Sequence, residues 1–325
     1  MGSSSIITAL ALLLLAFDGC THTGMHGTFR EHTPKGGIAP TKVLAVYEPW
    51  FGHPQHINVG YSSQDPVILR KQITEAKKLG ISGFVVDWYG DREPFIDKAY
   101  ALLQQEAAQQ NFSVAMMYDE TRDETEAATD DALTAFDSFH DKYLTSGVAG
   151  SQAYLMYDNR PVIFIFPKAN HTDWSRVRAE VNKWSSPPLL IFEYRKTPYE
   201  SAFDGFYAWV NPGNQGWAPD GSHWGGDYLR AFYKTMQAKY PDKIPVGAAW
   251  AGFDDRKASW SLGRYMSQRC GQTLTDTMRI SREYYPADDP IPFLLIATWN
   301  DYEEGTAIER GSAKCDGAAD PKVGG

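Results

Sequence analysis

Cysteine is scarce in this sequence, at Cys20, Cys270 and Cys315 only. Neither of the later two has C-x-x-C spacing or a neighbouring histidine, which excludes a disulfide-dense scaffold and a zinc finger. If Cys20 is removed or modified during export, Cys270 and Cys315 remain, either bonded to each other or as two unpaired thiols. Long apolar runs are missing too. The longest, Ile6–Phe17, has 12 residues, short of the roughly 20 that a membrane-spanning helix needs. Basic charge is in deficit, with 31 Lys and Arg against 40 Asp and Glu. That balance argues against nucleic acid, because phosphate binding needs a local cationic surplus. Several catalytic signatures are absent: a G-x-S-x-G elbow, a G-x-x-x-x-G-K-[ST] loop, an H-E-x-x-H helix and a G-x-G-x-x-G turn after a strand. Serine acyl-enzyme, P-loop and nicotinamide chemistries lose their support, and no cofactor is expected. His53 and His56 share a loop but have no evident third ligand, so no metal is expected either.

What is present begins with a targeting segment. Ile6–Phe17 reads as the apolar core of a secretory signal over residues 1–20. Gly19-Cys20 gives it the look of a lipoprotein cleavage box, so export is expected, either anchored in the cell envelope at Cys20 or secreted. Residues 21–41, rich in Gly, His, Thr and Pro, read as a linker. The only membrane contact expected is an N-terminal lipid, and the protein is expected to be a monomer.

From residue 42 the chain alternates short β-rich apolar runs with longer amphipathic ones. The strands are expected at Lys42–Tyr47, Gly83–Tyr89, Phe112–Tyr118, Val162–Phe166, Leu189–Glu193, Gly205–Val210, Ile244–Trp250 and Phe293–Trp299. Their near-continuous hydrophobicity suits strands buried on both faces. Helical periodicity covers Pro66–Leu79, Pro94–Gln110, Thr129–Thr145, Trp174–Trp184, Tyr228–Tyr240 and Thr273–Tyr284. Eight strands with intervening helices predict an α/β chain folded as a single (β/α)8 TIM barrel over 42–310. The stretch between the fifth and sixth strands is too short for a helix, and nothing after Glu309 looks like a last helix. A tail, 311–325, follows.

Barrels of this kind build active sites at the carboxyl ends of their strands. Here those ends are polar and aromatic. The first brings Tyr47, Glu48, Trp50 and His53, the second Asp87, Trp88 and Tyr89, and the third Asp119 and Glu120. The fifth contributes Glu193, the sixth Trp209 and Asn211, the seventh Trp250 and Asp254. The eighth carries Trp299, Asn300, Asp301 and Glu304. Any one aromatic is commonly a rim filler, but the repetition around the barrel suits a saccharide, whose C–H faces stack on rings while its hydroxyls need polar partners. Catalysis is assigned to Asp301 and Glu304. Three residues apart, they lie about 5–6 Å apart by Cβ in a helical turn and at most about 11 Å apart if extended. Glycosidase pairs need about 5–9.5 Å between carboxyls, so the spacing allows retention or inversion.

Three segments carry a more specific likeness. Tyr47-Glu48-Pro49-Trp50-Phe51-Gly52, Gly80 to Gly90 (GISGFVVDWYG) and Trp299 to Glu309 (WNDYEEGTAIE) resemble the glycoside hydrolase family 99 and 71 group. That group contains endo-α-mannosidases and α-1,3-glucanases. The resemblance implies a retaining hydrolase of α-mannan or α-glucan, with Glu304 as general acid and then base. The second family-99 glutamate maps onto Asp301, one methylene shorter, which would assist the sugar's own 2-hydroxyl as internal nucleophile. On that geometry Asp301→Glu is expected to retain or improve activity; Glu303, between the two acids, is expected to point away if the segment is helical. Two competing classes are a carbohydrate-binding barrel without turnover and an accessory protein of polysaccharide assembly.

Overall fold

The computed structural model describes residues 40–120, 125–168, 171–211 and 223–311. The expected signal segment, nearly all of the expected linker, Cys20, Cys315 and nearly all of the tail lie outside them. Eight strands form the barrel: β1 (Lys42–Tyr47), β2 (Gly83–Trp88), β3 (Ser113–Asp119), β4 (Arg160–Phe166), β5 (Leu189–Glu193), β6 (Gly205–Tyr207), β7 (Ile244–Trp250) and β8 (Phe293–Ala297). Each pairs in parallel with its chain neighbours, and β8 closes on β1 through Lys42 opposite Phe293 and Ala45 opposite Ile296. The expected (β/α)8 barrel is the fold observed. β6 is shorter than expected, because its ladder to β5 ends where β5 does, at Glu193 opposite Tyr207.

Six helices wrap the sheet among the described residues: α1 (Pro66–Lys78), α2 (Pro94–Gln109), α3 (Thr125–Phe139), α4 (Trp174–Val181), α5 (Gly226–Lys239) and α6 (Gln272–Tyr284). Local chemistry sets their starts. Asp65 caps α1 by accepting from the Val67 amide at 2.9 Å, and Pro66 occupies the first turn, where a missing N–H costs nothing. Asp173 caps α4 in the same way. Leu69, Ile73 and Ala76 recur at helical spacing and form the buried face of α1. α3 starts four residues earlier than its periodicity suggests and runs on into a wider π turn, His140–Leu144. Between β5 and β6 stands only a 3-10 turn, Glu200–Ala202, and the described chain after β8 is turns. None of the described helices is long and apolar enough to cross a membrane.

Cys270 is disulfide-bonded. The described residues hold no other cysteine, so its partner lies outside them. Thiol titration of the denatured, unreduced full chain is expected to find one free thiol, and three after reduction. Three before reduction would overturn the bond.

Candidate active site

The ends of β1, β2 and β3 bring three carboxyl groups together inside the barrel mouth. Glu48 is fixed by its backbone: its amide donates to Asn300 Oδ1 at 2.7 Å, and its carbonyl accepts from Asn300 Nδ2 at 2.9 Å. Its carboxyl group is hydrogen-bonded to Asp87, and the Tyr89 hydroxyl bonds to both Asp87 and Asp119. Lys168, just past β4, places its ammonium 2.8 Å from Asp119 Oδ2 and 5.0 Å from the centre of the Tyr89 ring. Burial raises the pKa values of Glu48 and Asp87 well above the usual carboxylate range, and the neighbouring carboxylates raise them further. Asp119 is pushed up to about 6, chiefly by burial, against the pull of Lys168. Burial works against the Lys168 charge as well, but the carboxylates more than offset it and keep its pKa above normal. Across this centre Glu193 is pushed up to about 7, again by burial, although Arg195 grips it at 2.6 Å.

Glu48 Oε2, Asp87 Oδ1 and Asp119 Oδ1 are all buried with no hydrogen-bond partner among the described residues. Buried carboxyl oxygens are ordinarily satisfied, and leaving one bare costs about 1–3 kcal/mol. Three in one cluster amount to a standing demand for donors such as hydroxyl groups.

Asp301 and Glu304 sit beside this centre on the turn that follows β8. Asp301 Oδ1 accepts from the amides of Glu303 and Glu304 at 2.9 and 2.8 Å, and its own amide donates to Thr298 Oγ1 at 2.8 Å. This is an Asx turn, which the short aspartate side chain is suited to make. Gly305 follows with φ +65°, and a Cβ there would stand 3.0 Å from Asp254 Cβ. Glu304 Oε1 accepts from Trp260 Nε1 at 2.9 Å. Trp260 is 42% exposed and rides on a loop anchored by the wholly buried Asp255. Asp255 accepts from the amides of Leu262 and Arg264 and from Arg264 Nε at 3.1, 2.7 and 2.7 Å.

Burial raises the pKa values of both Asp301 and Glu304, and the Glu304 charge raises Asp301 further. Burial thus holds both carboxyls toward their protonated forms, while the two amides on Oδ1 favour the ionised form of Asp301.

Glu303 turns away from that pair. Its Oε2 lies 2.7 Å from His56 Nδ1, and its Oε1 accepts from the Ile57 amide at 3.3 Å. His56 is thereby held flat on Trp50, with ring centroids 4.6 Å apart and planes within 4°. The intervening loop turns at Gly52, φ +94°, where a Cβ would come within 2.7 Å of Ser62 Oγ.

Several residues singled out in the sequence do not reach the cluster. Tyr47 is wholly buried and donates to Gln72 of α1. Trp88, also buried, donates to Asp97 and packs edge-on against Phe139. Trp250 donates to the Trp224 carbonyl, and Trp299 packs on Phe84. Glu120 accepts from the amide and hydroxyl of Thr172, ahead of α4. Asp254 is spent on Arg256. Trp209 packs edge-on against Phe166, Asn211 bonds to Tyr228, and His53 lies against Phe95. Lys168, Trp260 and the His56–Glu303 pair were not anticipated. Of these only Lys168, two residues beyond a strand end, obeys the rule that located the others. Among the described residues no group of three or more His, Cys, Asp or Glu is arranged to hold a metal ion.

No family model matches the sequence, and none of the curated proteins matches it. Solved structures do match its fold. A GH99 endo-alpha-mannosidase from Bacteroides thetaiotaomicron, in complex with bis-tris-propane, superposes with a TM-score of 0.63 at 20% identity, over 86% of this chain and 90% of that one. A second structure of the GH99 endo-alpha-mannosidase from that organism gives 0.62 at 19% identity, over 85% and 90%. A glycoside hydrolase-like protein gives 0.58 at 14%, over 86% and 90%. At these identities the likeness is one of fold.

Proposed function

We propose that the chain is a glycoside hydrolase acting on an α-linked polysaccharide or oligosaccharide, mannan or glucan, with retention of configuration. The observation that carries this reading is the set of three unpartnered buried carboxyl oxygens at Glu48, Asp87 and Asp119, directly beside the Asp301–Glu304 pair. A ring of hydroxyls satisfies such a set, while Trp260 offers an exposed aromatic face at the rim. In the first step Glu304 gives its proton to the glycosidic oxygen as the C–O bond breaks. On an α-mannoside, whose 2-oxygen is trans to the leaving oxygen, Asp301 takes the proton of the 2-hydroxyl and that oxygen closes on the anomeric carbon; an α-glucoside holds the two oxygens cis and cannot follow this path. In the second step the Glu304 carboxylate draws a proton from water, the water oxygen attacks the anomeric carbon as the bond from that carbon to the 2-oxygen breaks, and Asp301 returns the proton to the 2-oxygen. Two inversions give retention. The shared fold with an endo-alpha-mannosidase makes α-mannan the first polymer to test.

Release of reducing ends from α-mannans and α-glucans, with the anomer formed first read by proton NMR, tests the assignment. Retained product supports it. Binding without release supports a non-catalytic carbohydrate-binding barrel, and neither binding nor release overturns both.

A further inference from the structure

The loop between β7 and α6 takes hold of Glu304 at two points. Its base is a short antiparallel hairpin, Phe253–Asp254 against Tyr265–Met266. There the Asp254 amide donates to the Glu304 carbonyl at 2.7 Å. At the tip, Trp260 Nε1 donates to Glu304 Oε1 at 2.9 Å. An exposed indole on a loop would ordinarily turn freely, but this one is braced. Its ring stands edge-on to Trp50 and to His56, 6.4 Å from each, and those two rings are stacked on one another and tied to the catalytic turn through Glu303. Asp255 pins the chain just past the ring, accepting from the Ser261 hydroxyl at 3.2 Å and the Leu262 amide at 3.1 Å.

We infer that Trp260 is a positioning residue for Glu304: its N–H fixes the plane of the carboxyl group and leaves Oε2 as the oxygen that hands the proton to the glycosidic oxygen. The inference rests on the glycosidase reading and deepens it by naming what aims the acid. An indole N–H can only donate, so the carboxyl oxygen it meets must accept. In the acid form the carbonyl oxygen is the better acceptor, and the proton therefore sits on the other oxygen, Oε2. Once that proton has left, the same bond steadies the carboxylate that next draws a proton from water. One contact thus serves both steps. The charges around Glu304 pull in both directions. Asp301 on its own turn, Glu48 after β1 and Asp255 on the loop oppose its ionisation, while Lys168 after β4 and Arg264 on the loop favour it. Glu303 and His56 are paired with each other. Burial is the largest influence against the Glu304 charge, and the Trp260 bond is the largest in its favour.

Two measurements on the full chain test this, one of them independent of turnover. Carbon-13 NMR of protein labelled at the glutamate side-chain carboxyl follows the titration of Glu304, whose signal is identified by its absence in Glu304→Gln. Trp260→Phe deletes the N–H and keeps a ring on the loop, and because Trp260 is 42% exposed its melting curve is expected to match the wild type. In this variant the Glu304 midpoint is expected to rise by about 1 pH unit, since a donor to the charged form is gone. On α-mannan, kcat is expected to fall about 10-fold with KM changed less than about 3-fold, and the basic limb of the rate profile should move up in pH with the midpoint. An unmoved midpoint overturns the inference whatever happens to the rate. A raised midpoint with kcat unchanged overturns it too, because the bond would then tune Glu304 without aiming it. A rise in KM alone would make Trp260 a binding face and nothing more. In each of these cases, cleavage by the wild type keeps the glycosidase reading standing. If the wild type cleaves no polymer, that reading falls and takes the positioning role with it, even where the midpoint moves.

Discussion

Glu304→Gln is expected to lower kcat on the α-linked polymer by about 10²–10⁴-fold while leaving substrate binding largely intact. That is the usual worth of a positioned general acid and base. Glutamine keeps the shape of the side chain and an oxygen for Trp260 Nε1, now 2.9 Å from the carboxylate, so the aromatic wall stays in place. What is lost is the proton. Burial raises the pKa of Glu304, with the Trp260 bond opposing. The acid form is therefore present below this raised pKa and disappears as pH climbs through it, so the basic limb of the rate profile belongs to Glu304. The acidic limb belongs to ionisation of its partner, whose pKa burial and the Glu304 charge also raise. Repulsion between the two carboxylates raises the second ionisation above the first, so the two midpoints are spread apart and the bell should be broad. In Glu304→Gln the basic limb should vanish from whatever activity remains. Wild-type turnover in this variant, measured with the same polymer, would remove Glu304 from the chemistry.

The barrel was legible because its strands are buried on both faces and so appear as unbroken apolar runs. The site was legible only in part, and strand geometry explains which part. Neighbouring residues in a strand point to opposite faces. Asp87 joins the carboxyl centre, while Trp88, one residue on, faces α2 and packs on Asp97 and Phe139. Tyr47 and Glu48 divide in the same way, the tyrosine reaching Gln72 on α1. Reading strand ends as a block counted both faces as site. The contacts that were missed join segments far apart in sequence: Glu303 meets His56 across 247 positions and Trp260 meets Glu304 across 44. No local pattern announces a pairing that only barrel closure creates. Lys168 is different, since it stands two residues beyond β4, where the strand-end rule would have found it had cations been sought among so many acids.

Asp301 is the point at which the resemblance and the structure make different demands. Asp301→Asn is expected to cut kcat at least 10²-fold, comparably to Glu304→Gln, with little change in melting temperature. Asparagine retains Oδ1 for the amides of Glu303 and Glu304 and removes only the charge that would accept the 2-hydroxyl proton. Asp301→Glu is the sharper test, because a glutamate stands at this place in the family-99 motif and is expected on that ground to preserve or improve turnover. Here the carboxylate also builds the turn. One added methylene carries the oxygens beyond easy reach of the buried Glu303 amide and the half-buried Glu304 amide, and a buried amide left bare costs about 1–3 kcal/mol. The same amides hold Glu304 in place, and a shift of about 1 Å at a reacting group is enough to cost about 10²-fold. Asp301→Glu should therefore be less stable than the wild type and slower, while Asp301→Asn should be slower only. Melting curves and kcat on the two variants separate the roles. A glutamate variant as stable as the wild type and more active would mean that the turn tolerates either acid. A fully active asparagine variant would confine Asp301 to the turn and leave Glu304 without its partner.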